Sequence, residues 1–208
     1  MTEKTWRTTL DFRDMMRHLS ESDAASQRKL MLLTAACLYR VRHYDTEVIG
    51  LLEGYADRKT PRKLAMSAVE AAARTARIHA YCTYLFWKDK CFDGADVACT
   101  VGVYDAASSR GVEWKADDLA ERRLHADRIR CVFGNPFRAV GAEPAWRERS
   151  IVTTAQAIYD GKDFDALGVL ADALEEAGCT SAELLTHLRS AGPHVRGCWA
   201  LDLILGKE

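Results

Sequence analysis

The chain holds four prolines in 208 residues, and no segment sustains the Val/Ile/Thr alternation of a half-buried strand. It is rich in Ala, Leu, Arg and Glu, whose side chains lose little freedom in a helix. Together these features restrict it to an all-α fold, a bundle of about nine helices. The expected breaks fall at Pro, Gly and capping residues. A first short helix is expected over residues 10–19. Ser22 or Asp23 caps a second, to about residue 43, and Asp45 or Thr46 a third, to about residue 58. Thr60-Pro61 starts a long fourth helix to about residue 88, with Pro at its first helical position. Ala68, Ala72, Ala76 and Ala80 recur along it every four residues, a small-residue stripe that lets another helix approach closely. A fifth helix runs from about residue 93 to the loop-like 108–111, and a sixth over residues 116–133.

Gly134-Asn135-Pro136 ends the sixth helix. Pro144 opens a helix to residue 159. An amphipathic segment over 164–177 ends at Gly178, placed as a C-cap glycine. Thr180 or Ser181 caps a short helix with Glu183 in its first turn. Gly192-Pro193 breaks the chain before a strongly apolar last helix, 195–205. The plan is an N-terminal helical body, 1–134, packed on a compact C-terminal module, 135–208, as one integrated domain.

Composition narrows the class. No apolar run approaches the roughly 18–20 residues of a membrane span, and the first residues lack a signal-type apolar stretch. A cytoplasmic location without membrane contact is expected. Seven cysteines, an odd number spread along the chain, do not form a disulfide framework; reduced, buried thiols are expected. The net charge is −1, which argues against a nucleic-acid-binding polycation. The balance is uneven. Between Ala155 and Thr186 seven carboxylates face one Lys, which reads as a solvated helical face rather than an acidic docking surface.

The tracts Phe133-Gly-Asn-Pro-Phe-Arg138, Pro144-Ala-Trp146, Ala155-Gln-Ala-Ile-Tyr-Asp160, Leu170-Ala-Asp-Ala-Leu-Glu-Glu-Ala-Gly-Cys179 and Gly192-Pro-His-Val-Arg-Gly-Cys-Trp199 resemble a large family of helical planctomycete proteins of the Gemmata type. The resemblance covers about residues 129–208 closely and the N-terminal part, from Arg28-Lys-Leu30 to Cys37, more loosely. It implies a shared modular plan and carries no activity with it.

Four constellations could carry chemistry. The first is Cys179, His187, His194 and Cys198, spaced C-x7-H-x6-H-x3-C. Thiolate and imidazole are the usual donors to tetrahedral Zn²⁺. His194 and Cys198, four apart, would share a helical face, and one ion would staple the last two helices. The alternative is two buried cysteines and two ordinary histidines. The second is the entry 192–198, where His194 and Arg196 could bind an anion, or a Cys–His pair act as nucleophile and base. The alternative there is a structural helix entry with Arg196 paired to an acid such as Asp172. The third is Asn135-Pro-Phe-Arg138, an architectural linker whose Phe137 plugs a core and whose Arg138 could hold carboxylates or a partner. The fourth is an Arg-rich run, Arg122, Arg123, Arg128 and Arg130, which could track phosphates but is diluted by Glu121 and Asp127. Phosphate-loop, dinucleotide, zinc-protease and serine-hydrolase motifs are absent. The leading expectation is a non-enzymatic helical adaptor with a protein partner. A zinc- or anion-binding module centred on His194 and Cys198 comes second, and nucleic-acid binding third.

Overall fold

A computed structural model describes residues 1–22, 24–39, 45–75 and 114–207. Among them are ten α-helices, two 3₁₀ turns and no strand, so the all-α expectation holds. The helices are α1 (Glu3–Thr8), α2 (Phe12–Glu21), α3 (Gln27–Leu38), α4 (Thr46–Ala56), α5 (Arg62–Thr75), α6 (Trp114–Phe133), α7 (Arg149–Gly161), α8 (Leu167–Glu176), α9 (Ala182–Leu188) and α10 (Trp199–Leu205). The expected continuation of the fourth helix beyond residue 75, and the expected fifth helix, lie outside the described residues. No described helix is long and apolar enough to cross a membrane.

Helix α1 is an addition to the sequence expectation. Thr2 caps it by accepting from the Thr5 N–H, and Trp6 anchors it. The Trp6 indole is buried, and its Nε1–H donates to the Gly134 carbonyl at 3.0 Å. Six residues cannot sustain an isolated helix, so this burial holds α1 in place. Helix α3 starts later than expected, because Ser26 rather than Ser22 or Asp23 supplies the cap, accepting from Lys29 N–H. Asp45 caps α4 as expected. Pro144 opens a 3₁₀ turn, Pro144–Arg147, which the extended Glu148 separates from α7.

Two apolar cores result. The first gathers Trp6, Phe12, Met15 and Leu19 with Leu30 and Leu33 of α3, Ile49 and Leu52 of α4, and Ile129 and Val132 of α6. The second gathers Trp146, Ile151, Ile158 and Tyr159 with Leu167, Leu170 and Leu174 of α8, Leu184 and Leu188 of α9, and Leu201 and Ile204 of α10. Each large side chain buried this way stabilises the fold by about 1.5–3 kcal/mol. Helix α6 belongs to both. Successive residues on a helix point about 100° apart, so Ile129 and Val132 enter the first core while Cys131 enters the second. Val195 packs against both cores.

An ionic network crosses the same seam. Arg28 of α3 grips Asp202 of α10 with two N–H···O bonds, 2.8 and 3.1 Å, and reaches Asp57 at 3.0 Å and the Tyr159 hydroxyl at 2.7 Å. The Tyr159 hydroxyl donates in turn to Asp57 at 2.9 Å. Burial pushes the Asp202 carboxyl up, and its bonds to Arg28 oppose that shift.

Candidate metal centre

The polypeptide after α9 turns sharply before α10 begins, and this turn builds the site. The last helix starts at Trp199, not at residue 195. Gly197 has φ +87°, a left-handed conformation that ends any helix there, and Cys198 is extended. A Cβ on Gly197 would lie 2.9 Å from Leu32 Cδ1. Only glycine lets the turn sit this close to α3. The Cys198 N–H donates to the Val195 carbonyl at 3.0 Å and closes the turn. His194 and Cys198 therefore meet across a turn rather than along one face of a helix.

Arg196 anchors the other side of this turn. Its guanidinium binds Asp57 at 3.0 and 3.1 Å and lies 4.8 Å from the centre of the Tyr159 ring. The expected partner Asp172 instead binds Arg189, as does Glu175. Arg196 is thus committed to holding the turn against α4 and α7. Arg138, the other candidate for anion or partner binding, pairs with Glu3 at 3.0 Å, and the Asn135 amide binds the same carboxylate at 2.9 Å. Phe137 does not plug a core; it is partly exposed and stacks on His18 with ring centres 4.9 Å apart.

Four side chains converge beside the turn. Cys131, His187, His194 and Cys198 each point one donor atom inward, and all four atoms lie within 4.8 Å of one another. They come from the last turn of α6, the last turn of α9 and the two ends of the 194–198 turn. His187 Nε2 is 3.1 Å from Cys198 Sγ, and His194 Nδ1 is 3.9 Å from Cys131 Sγ. Bond lengths of about 2.0–2.3 Å to a tetrahedral Zn²⁺ require donor separations of roughly 3.3–3.8 Å, so small shifts fit the ion, the longer separations closing and the 3.1 Å His187–Cys198 pair opening slightly. Both thiols are fully buried and both imidazoles half-buried. The imidazole rings meet edge to face, centres 4.9 Å apart, and Trp199 covers His187.

The outer contacts suit the same chemistry. His194 Nε2 lies 3.1 Å from the Ser190 carbonyl. That acceptor places the ring proton on Nε2 and leaves Nδ1 as a lone-pair donor aimed at the cluster. Burial pushes the Cys198 thiol up, but hydrogen bonds with Cys131, His187 and His194 outweigh it and hold Cys198 well below the ordinary thiol range. The bond to Cys198, reinforced by burial, raises Cys131 correspondingly.

Three of the four donors are those singled out by spacing, His187, His194 and Cys198. The fourth is Cys131, and Cys179 lies outside the cluster. Gly178, at φ +88°, ends α8 in a Schellman turn: Cys179 N–H donates to Leu174 O, and Gly178 N–H to Glu175 O, both at 2.9 Å. Cys179 occupies the position whose apolar side chain packs back on the helix end, and it is buried in the second core. The signal for Cys131 was its place in the final turn of the helix that leads into the C-terminal tract.

The Arg-rich run of α6 does not form one basic face. Arg128 is buried, Arg122 half-buried and Arg123 exposed. Arg130 turns back on α1, donating to the Trp6 carbonyl at 3.0 and 2.8 Å and to the Thr9 carbonyl, and pairs with Asp127 at 2.7 Å. It satisfies carbonyls at a helix end that otherwise lack partners. No family model, curated protein or solved structure matches the chain.

Proposed function

We propose that the chain is a metal-stapled helical domain that binds one Zn²⁺ through Cys131, His187, His194 and Cys198. The observation that carries this reading is the convergence of two thiols and two imidazoles from three separate parts of the fold, within 4.8 Å of one another. Soft sulfur with imidazole in a four-donor set suits Zn²⁺ over the hard cations Mg²⁺ and Ca²⁺. Four protein donors complete a tetrahedron and leave no position for water or substrate, as in a structural rather than a catalytic site. The ion would tie α6, which carries part of the N-terminal core, to the turn that precedes α10. Binding then adds directly to folding free energy. In this reading the ion stiffens a helical adaptor whose surface meets a protein partner.

The test is metal analysis of protein purified without chelator, followed by Co²⁺ replacement. About one zinc per chain, and a Co²⁺ form with intense tetrahedral d–d bands and a thiolate charge-transfer band, are expected. Substoichiometric metal that does not rise on zinc titration would overturn the reading, as would an octahedral Co²⁺ spectrum.

A further inference from the structure

Resting on that zinc reading, we infer that the site is also a peroxide-sensitive latch, in which Cys131 and Cys198 join as a disulfide and release the ion. Among the described cysteines, Cys131 and Cys198 form the thiol pair held within 4.8 Å inside the metal-ligand cluster. Cys37 is occupied elsewhere, its Sγ 3.3 Å from His125 Nδ1, and Cys179 belongs to the turn after α8. The two site sulfurs belong to different elements, so a bond between them would replace one cross-link between α6 and the C-terminal turn with another.

Both thiols are buried, so a small oxidant would have to enter from the imidazole side. His194 forms part of the wall of an open cleft of about 480 Å³, together with Lys162, Phe164, Arg189 and Ser190. His187 borders a second recess of about 130 Å³, beside Trp6 and Trp199. Hydrogen peroxide is little larger than water and can approach where bulkier thiol reagents cannot.

The chemistry balances without a further reactant. One zinc-bound thiolate attacks a peroxide oxygen and breaks the O–O bond, giving a sulfenic acid and, after protonation, one water. The second thiolate attacks that sulfenic sulfur, forming the S–S bond and expelling hydroxide, which takes up a proton as the second water. The two sulfurs lose two electrons, peroxide gains them, and two protons are consumed. The ion stays Zn²⁺. With both sulfurs committed to each other, only His187 and His194 remain as donors, too few to retain zinc against a chelator.

The experiment uses the full-length zinc-loaded protein, treated with hydrogen peroxide in the presence of a chromophoric zinc chelator. Peptide mapping under non-reducing conditions follows. The expected result is release of about one zinc per peroxide consumed, a Cys131–Cys198 cross-link as the dominant product, and full zinc rebinding after thiol reduction. Cys179→Ser should behave identically. Zinc that stays bound during oxidation would overturn the latch, as would release with a different cross-link or with sulfinic acid at Cys131 or Cys198. Protein that never held zinc would instead contradict the metal reading. In that case peroxide treatment of the metal-free chain still tests the pair, because a dominant cross-link elsewhere refutes it.

Discussion

His194 Nδ1 stands 3.9 Å from Cys131 Sγ, across the seam between helix α6 and the turn that precedes α10. The candidate metal site lies on this seam, and the Arg28–Asp202 pair and the packing of Gly197 on Leu32 join the same C-terminal segment to α3. Each can be broken separately, and the expected outcomes differ.

Arg28 and Asp202 form a buried, two-point ion pair, the acid 1 % exposed and the base 14 %. Removing one partner leaves a buried charge with reduced compensation, which costs about 3–5 kcal/mol. Asp202→Ala should therefore lower stability far more than the double change Arg28→Met with Asp202→Leu, which removes both charges and restores apolar volume. Urea titrations at one fixed zinc concentration measure this, since a ligand of the folded state shifts apparent stability. Equal losses in the single and double variants would show that the pair is not the stabilising unit.

Gly197→Ala introduces a methyl group at φ +87°, 2.9 Å from Leu32 Cδ1. The strain of a left-handed non-glycine residue and the overpacking together should cost about 2–4 kcal/mol. Because the turn carries His194 and Cys198, zinc affinity should fall along with stability. The double variant Gly197→Ala with Leu32→Ala should regain part of the affinity by relieving the clash. Unchanged zinc affinity in Gly197→Ala would separate the turn from the site.

Zinc binding should release protons. Cys131 sits well above the ordinary thiol range through its bond to Cys198, and the bond to Cys198 raises His194 despite burial. Zinc takes cysteine as thiolate and histidine as the neutral base, so both shifts add to the protons the ion displaces, whereas Cys198, held low, gives up little. Affinity should rise with pH from 6 to 8, approaching tenfold per unit for each proton released. Calorimetric titrations in two buffers of different ionisation enthalpy count those protons. Binding with no proton release would contradict the charge arrangement of the thiol pair.

The helical class was legible because every signal for it is local. Few prolines, no strand alternation, Asp45 and Ser181 as caps and Gly178 as a helix stop all act within a few residues. Helix α1 escaped notice because its stability comes from Trp6 packing against Gly134, distant in sequence. The site divides in the same way. His187, His194 and Cys198 lie close enough along the chain for spacing to suggest them together. Cys131 enters only through the packing of α6 against α10, and no spacing rule reaches it. Cys179 has the right element at the wrong place: near His187 in sequence, it is drawn into the second core by the turn that ends α8. Arg196 and Arg130 looked available for ligands, and the fold uses them for Asp57 and for the carbonyls of α1.

The measurement that tests the central claim most directly is zinc stoichiometry in two single variants purified in parallel, Cys131→Ser and Cys179→Ser. The site as described requires Cys131 and not Cys179. Cys131→Ser should lose zinc, with affinity weakened by about two orders of magnitude or more, beyond the 10–100-fold of an outer-contact change. Cys179→Ser should retain about one zinc per chain at unaltered affinity. The reverse pattern, with zinc kept by Cys131→Ser and lost by Cys179→Ser, would contradict the account.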